Sequence, residues 1–320
     1  MTRALLTLAL VAVSSILLGL VLDPRGYEVR VLCLVLLTAS MAQSWNIVGG
    51  LANQISLGHG AFFGIGAYTS TILTIATGLS PWLGAPLGML LAALAALLLS
   101  LPTMRLKGPY FALATLAFAE GCRVIANSLA VTGGSQGLSV PFAGNSWWML
   151  QFRGAGGYVP VFVGLFVLTS LVFALLSNGR WGYLMRALRE NEDAAEVAGV
   201  DTLRTKLLGS LTSAALTALC GTAFAQLTFF FDPDSVFSPS GISIRMALVA
   251  IVGGVGTLTG PLIGALLIVP LEEILSSTLS QYLAGIAPFT FGFVLVAVVI
   301  LRPRGLASLP GLRWIEGRRS

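Results

Sequence analysis

Along this chain apolar residues run for sixteen to twenty-five positions at a stretch, broken by short segments of glycine, proline or charge. The runs are Ala4 to Leu22, Val31 to Val48, Trp82 to Leu101, Pro109 to Ile125, Tyr158 to Leu176, Leu207 to Phe231 and Ile286 to Leu301. A helix needs about 20 apolar residues to cross a bilayer, so each run predicts one span. Ala4 to Leu22 is longer than a secretory h-region and leads into Asp23-Pro24 with no small-residue cleavage site, so it reads as a retained first helix. Two further segments, 49–78 and 242–277, are apolar but interrupted by glycines. They predict broken or re-entrant helices, with two short helices meeting near Gly253-Gly254-Val255-Gly256 in the second.

Composition narrows the class. The chain is 56% hydrophobic and only 10% charged, where a soluble domain carries about 25% charged residues. Lipid is therefore the solvent, and helices satisfy their backbone polar groups within it. A β-barrel would alternate polarity over ten-residue strands, which these unbroken runs do not. The expected fold is an all-α polytopic membrane protein of about 8–10 transmembrane helices. Residues 1–306 form a permease domain and 307–320 a basic tail.

The net charge of +5 changes only the topology. The basic residues lie between apolar runs and form no face for nucleic acid. With the amino terminus inside, 13 of the 18 Lys and Arg fall on one side, which the positive-inside rule favours. Both termini and the polar segment 178–206 are then cytoplasmic, and the Gly-rich loop 127–157 with Trp147-Trp148 faces outward. Cys33, Cys122 and Cys220 sit far apart in apolar runs and read as small buried hydrophobes. A single histidine leaves no His/Cys cluster for a metal, and no cofactor is expected.

Two segments carry candidate function. Gly60/Gly64 and Gly260/Gly264 are GxxxG steps, which allow close helix packing; paired glycine-interrupted segments also mark broken helices along a substrate path. His59 is ionisable at membrane depth and so a functional candidate, against the plainer reading of a neutral imidazole hydrogen-bonded to a backbone carbonyl at a helix break. The segment 178–206 holds five basic and five acidic residues. Within it, Glu192-Asp193-Ala194-Ala195-Glu196-Val197-Ala198-Gly199 predicts a short helix with acids in its first turn and Gly199 as C′ residue. Asp201 is placed to cap the next span. Such a helix suits a partner's groove, or else is a solvated loop. No Gly-Lys-Ser/Thr sequence occurs, so any ATP used is hydrolysed by another subunit.

In order along residues 40–306, several stretches resemble the branched-chain amino acid ABC permeases, specifically their M-type subunit. These are Ser56-Leu57-Gly58-His59-Gly60-Ala61-Phe62-Phe63-Gly64-Ile65-Gly66-Ala67-Tyr68, Leu106-Lys107-Gly108-Pro109-Tyr110-Phe111-Ala112-Leu113-Ala114-Thr115-Leu116, and Thr132-Gly133-Gly134-Ser135-Gln136-Gly137-Leu138. The same holds for Arg186-Ala187-Leu188-Arg189-Glu190-Asn191-Glu192-Asp193-Ala194-Ala195-Glu196, Gly253-Gly254-Val255-Gly256-Thr257-Leu258-Thr259-Gly260-Pro261 and Arg302-Pro303-Arg304-Gly305-Leu306. The resemblance implies a heterodimer with an H-type permease, two ATP-binding subunits and a periplasmic substrate-binding protein, in the bacterial inner membrane. It implies a non-catalytic subunit with a translocation path at His59, Gly60, Phe62, Phe63, Tyr68, Tyr110, Gly254 and Gly256. ATPase coupling falls to Arg189, Glu192, Asp193, Glu196 and Gly199.

Two departures stand out. Asn53 replaces a frequent glycine, and Arg245 stands where an acidic or neutral residue is expected, facing interfacial solvent or biasing the path toward anions. Because similar permeases carry urea, short amides or other amino acids, the solute stays open. The rivals are an ion-coupled secondary transporter and an intramembrane enzyme, the latter lacking any nucleophile–base or metal constellation.

Overall fold

The computed structural model describes residues 2–279, 289, 292–293, 296, 300 and 305–308. Most of the expected last span Ile286–Leu301 and the tail beyond residue 308 lie outside the described residues. Seven helical segments among the described residues are long and apolar enough to cross a membrane, and Leu6–Val21 is a shorter apolar helix. The chain is thus an all-α, multi-pass membrane protein.

The chain opens with α1 (Thr2–Val21) and α2 (Tyr27–Asn46), which continues into a π-helical turn, Ile47–Leu51. The central helix is α2, buried along most of its length by the helices around it. The next three helices are α3 (His59–Thr77), α4 (Pro81–Thr103) and α5 (Pro109–Ser128). Gly78, at φ 70°, ends α3; Ser80 caps α4 by accepting the Trp82 N–H, and Pro81 and Pro109 occupy first-turn positions where a missing N–H costs nothing. Beyond the loop 129–158 come α6 (Val159–Asn178), α7 (Arg180–Glu190), α8 (Glu192–Val197) and the 27-residue α9 (Thr202–Thr228).

Small residues set the packing. A Cβ on Gly66 would run into the Ala218 backbone, and one on Gly221 into the Phe63 carbonyl, so α3 and α9 touch main chain to main chain. Gly88 of α4 meets the Gly66 Cα.

The last described region is discontinuous. Two residues of β2 (Phe230–Phe231) pair antiparallel with β1 (Leu138–Ser139). A single turn, α10 (Pro233–Val236), a π-helical segment (Pro239–Ile244) and α11 (Arg245–Gly253) together make one span. The chain reverses at residues 254–259 and returns as α12 (Gly260–Leu279). The break falls at the predicted glycines: Gly254 has φ 135° and Gly256 φ 76°. The late glycines serve this hairpin, since a Cβ on Gly253 would meet the Gly260 carbonyl and one on Gly264 the Val249 carbonyl. One end of the bundle therefore carries α7, α8 and the 254–259 turn. The loop 129–158 closes the other, where the Trp82 indole donates to the Trp147 carbonyl at 2.9 Å.

Candidate functional site

The chain enters α3 through a non-helical stretch, 52–58, held by specific bonds. Asn53 adopts φ 54°, a left-handed conformation that asparagine tolerates better than most residues after glycine. That accounts for asparagine at a glycine position. The Trp45 indole N–H donates to the Ser56 carbonyl at 2.8 Å, and the Leu57 N–H to Thr115 Oγ1 at 2.9 Å. His59 follows, 1% exposed. Its Nε2 lies 2.8 Å from Ser213 Oγ, and that hydroxyl donates to the Ser44 carbonyl at 2.7 Å. With the hydroxyl proton committed to Ser44, Nε2 is the donor in its bond to Ser213. The partner of Nε2 is a hydroxyl. One residue on, the Gly60 N–H donates to Ser243 Oγ at 2.8 Å, tying the start of α3 to the π-helical segment before α11.

The aromatic residues of α3 line this junction. Phe62 packs against the His59 ring edge and Phe118; Phe63 meets Phe224. Tyr68 stacks on Phe237 and meets Phe231 edge-on. The first GxxxG step receives a polypeptide segment rather than a helix: a Cβ on Gly60 would lie 2.8 Å from the Phe237 carbonyl oxygen, and one on Gly64 would meet the Phe237 ring. Beside His59 and Phe62 is a cavity of about 10 Å³, also lined by Ser56, Ser100 and Thr115. That is room for about one water, so the junction is closed in this conformation.

Gly254 and Gly256 do not join that group. They sit in the turn at the α7–α8 end, where Asn46 spans the gap: its Oδ1 accepts the Gly256 N–H at 2.7 Å and its Nδ2 donates to the Thr257 carbonyl at 2.9 Å. Arg189 of α7 reaches the same place and donates to the Gly50 carbonyl at 2.8 Å. Gly256 is needed there, because a Cβ would lie 3.0 Å from Arg189 Nη1 and 3.1 Å from the Gly50 oxygen. The two glycine-rich motifs and the polar segment thus meet at one point. Tyr110 stands apart, 72% exposed on the surface of α5.

The short helix forms as its sequence predicts. Asn191 caps α8, accepting the Ala194 N–H at 3.0 Å, with Glu192 and Asp193 in the first turn. Gly199, at φ 87°, closes it: its N–H donates to the Glu196 carbonyl and that of Val200 to the Ala195 carbonyl, the paired bonds of a Schellman motif. Asp201 caps α9 through the Arg204 N–H at 2.9 Å. The acids of α8 have separate roles. Glu192 pairs at 2.5 Å with Lys206, whose side chain is 5% exposed. Asp193 pairs with exposed Lys107 at 2.6 Å and raises the affinity of that ammonium for its proton above lysine's ordinary value. Glu196 makes no ion pair among the described residues, and Val197 beside it is 91% exposed. The second departure is balanced within the chain: Arg245 pairs with Glu272 of α12 at 2.7 Å.

Asn46, Ser213 and Ser243 are structural partners that motif reading passes over. Asn46 carried a signal, a fully polar amide inside an apolar run just before Gly49-Gly50.

The chain matches the family described as branched-chain amino acid transport system, permease component, over residues 28–302. It belongs to that family. The high-affinity branched-chain amino acid transport system permease protein LivM of Escherichia coli (strain K12) is 32% identical over 298 residues, covering 85% of this chain and 68% of LivM. The probable LivM permease of Methanocaldococcus jannaschii is 27% identical, covering 81% of this chain and 80% of that protein. The LivH permease of Salmonella typhimurium (strain LT2) is 24% identical, covering 85% and 91%. No solved structure matches the chain. Identity to LivM exceeds that to LivH, in keeping with an M-type subunit.

Proposed function

We propose that this chain is the pore-forming M-type permease subunit of an ATP-binding-cassette importer, moving branched-chain amino acids across the bacterial inner membrane. The solute is the one named for the LivM and LivH proteins it resembles. In this reading the α7–α8 end and both termini are cytoplasmic, and the loop 127–157 faces the binding protein. An H-type permease completes the dimer, two ATP-binding subunits dock beneath, and a periplasmic binding protein delivers solute. No residue of this chain takes a catalytic part.

The observation that supports it is the connection at the α7–α8 end. A capped six-residue helix presents Glu196 and Val197 outward. The residues before it reach the glycine turns through Arg189, Gly50, Asn46 and Gly256. Movement imposed on α8 by a partner is carried by α7 to the break between α11 and α12 and, through α2, to the His59 junction. Alternating access then follows from shifts of rigid helices about these breaks. Because Glu192 and Asp193 are engaged within the chain, the docking role falls to Glu196 and Val197. The test is a complex with the ATP-binding subunits in which Glu196→Arg and Val197→Asp are combined. Loss of solute-stimulated ATP hydrolysis with normal membrane insertion supports the assignment; unchanged stimulation overturns it.

A further inference from the structure

The end of the bundle closed by the loop 129–158 carries Arg25, Arg30, Arg123, Arg153 and Arg245, the five basic residues outside the Lys/Arg-rich side. Two are accounted for. Arg123 is paired with Glu120 and Asp234, and Arg245 with Glu272. The other three converge on one cavity of about 470 Å³, set between the α1–α2 turn, residues 152–155 and the end of α9. No carboxylate lines it, and none of the three guanidinium groups has an ion-pair partner among the described residues. Three acids lie near its rim: Asp23 accepts the Arg25 backbone N–H at 3.0 Å, Glu273 accepts the Tyr27 hydroxyl at 2.6 Å, and the Glu28 carboxylate lies beside Gly26; none forms an ion pair with these arginines.

Three exposed arginines without ion-pair partners among the described residues concentrate donors at one cavity mouth, where an anion can engage several of them at once. Arginine forks match phosphate oxygens bidentately. A zwitterionic solute fits poorly, because the lining has no carboxylate for its ammonium. The remaining lining is apolar, with Phe152, Leu227 and Phe229, and Arg25 follows directly on the exposed apolar end of α1, where Leu17, Leu20 and Val21 are 56%, 77% and 83% exposed. An acyl chain lying along that helix end brings its headgroup to the arginines. We propose that this cavity is a phosphate site occupied by the headgroup of an anionic phospholipid, with its glycerol and upper acyl region against the apolar lining.

The test uses the full chain in nanodiscs of phosphatidylglycerol or of phosphatidylcholine, followed by native mass spectrometry of retained lipid and by thermal unfolding. An arginine near a charged membrane surface contributes about fivefold to affinity. Arg25→Gln, Arg30→Gln or Arg153→Gln singly should therefore weaken phosphatidylglycerol retention about fivefold, and the triple variant about a hundredfold. Arg105→Gln, at the opposite end, should leave retention unchanged. A triple Arg→Lys variant should recover part of the loss, since it keeps charge but not the fork. Equal retention of the two lipids, or a triple variant that retains phosphatidylglycerol normally, overturns the proposal. So does stabilisation by inorganic phosphate in phosphatidylcholine discs with none from phosphatidylglycerol, which marks a site for the free ion. A triple variant with normal lipid retention but impaired binding-protein docking also overturns it, reassigning the arginines to a protein contact.

Discussion

Replacing Asn46 with leucine tests the junction at the α7–α8 end directly. Asn46 is fully buried, and its amide makes two bonds across the bundle, accepting from the Gly256 N–H at 2.7 Å and donating to the Thr257 carbonyl at 2.9 Å. Leucine keeps the branching but is bulkier than the amide, so some overpacking against Gly50 adds to the polar loss. Two backbone groups lose their partner, each worth about 1–3 kcal/mol when left unpaired in a buried setting, whereas interhelical hydrogen bonds measured in membranes average about 0.6 kcal/mol. Residues 255–259 are half-exposed, which favours the lower range, and about 1–2 kcal/mol in total is expected. Thermal unfolding of the detergent-solubilised chain would show the loss, and proteolysis at residues 254–259 should accelerate by a similar factor. Asn46→Asp should fare no better, because it keeps the acceptor for Gly256 but buries a charge and loses the donor to Thr257. Wild-type stability and protease resistance in Asn46→Leu would refute the argument that this amide holds the turn.

Other substitutions probe separate contacts. Glu192→Leu leaves the buried Lys206 ammonium with only the Met104 carbonyl at 3.4 Å among the described residues and should cost about 3 kcal/mol in unfolding measurements, with the double variant Glu192→Leu/Lys206→Met recovering most of it; a single variant as stable as wild type would count against the pairing. Gly66→Val should separate α3 from α9, since its Cβ meets the Ala218 backbone, and reduce the yield of folded protein, whereas Gly121→Ala, with open space at its Cβ, should be silent in the same expression assay. Tyr68→Phe removes a buried hydroxyl that has no hydrogen-bond partner among the described residues and should leave the melting temperature unchanged or slightly raised; a clear fall would show that the hydroxyl has a role.

The spans were legible because lipid imposes a simple rule: a run long enough to cross must be apolar throughout, and a break must carry glycine, proline or charge. Gly199 at the end of α8 and Asp201 at the start of α9 were equally legible, since each acts within a few residues of itself; the Asn191 cap, equally local, came from the structure. The break at Gly254 could be read from glycine density alone. What sequence could not supply was partnership across the fold. Nothing local says that Arg189 turns inward to the Gly50 carbonyl, that Glu192 and Asp193 are held by Lys206 and Lys107, or that Glu272 answers Arg245, separated from it by 26 intervening residues. Gly254 and Gly256 lie at another level of the bundle from His59, and Tyr110 lies on the surface of α5; neither placement is written in the local sequence.

The central claim is that this chain moves solute only when partners at the α7–α8 end hydrolyse ATP. Uptake of labelled leucine into proteoliposomes, with the H-type permease, the ATP-binding subunits and the binding protein supplied together or left out one at a time, measures it directly. The account predicts accumulation that requires ATP and every partner, and that disappears in the Glu196→Arg/Val197→Asp variant while the protein remains inserted. Accumulation by this chain alone under a sodium or proton gradient, indifferent to ATP and to that variant, would contradict it.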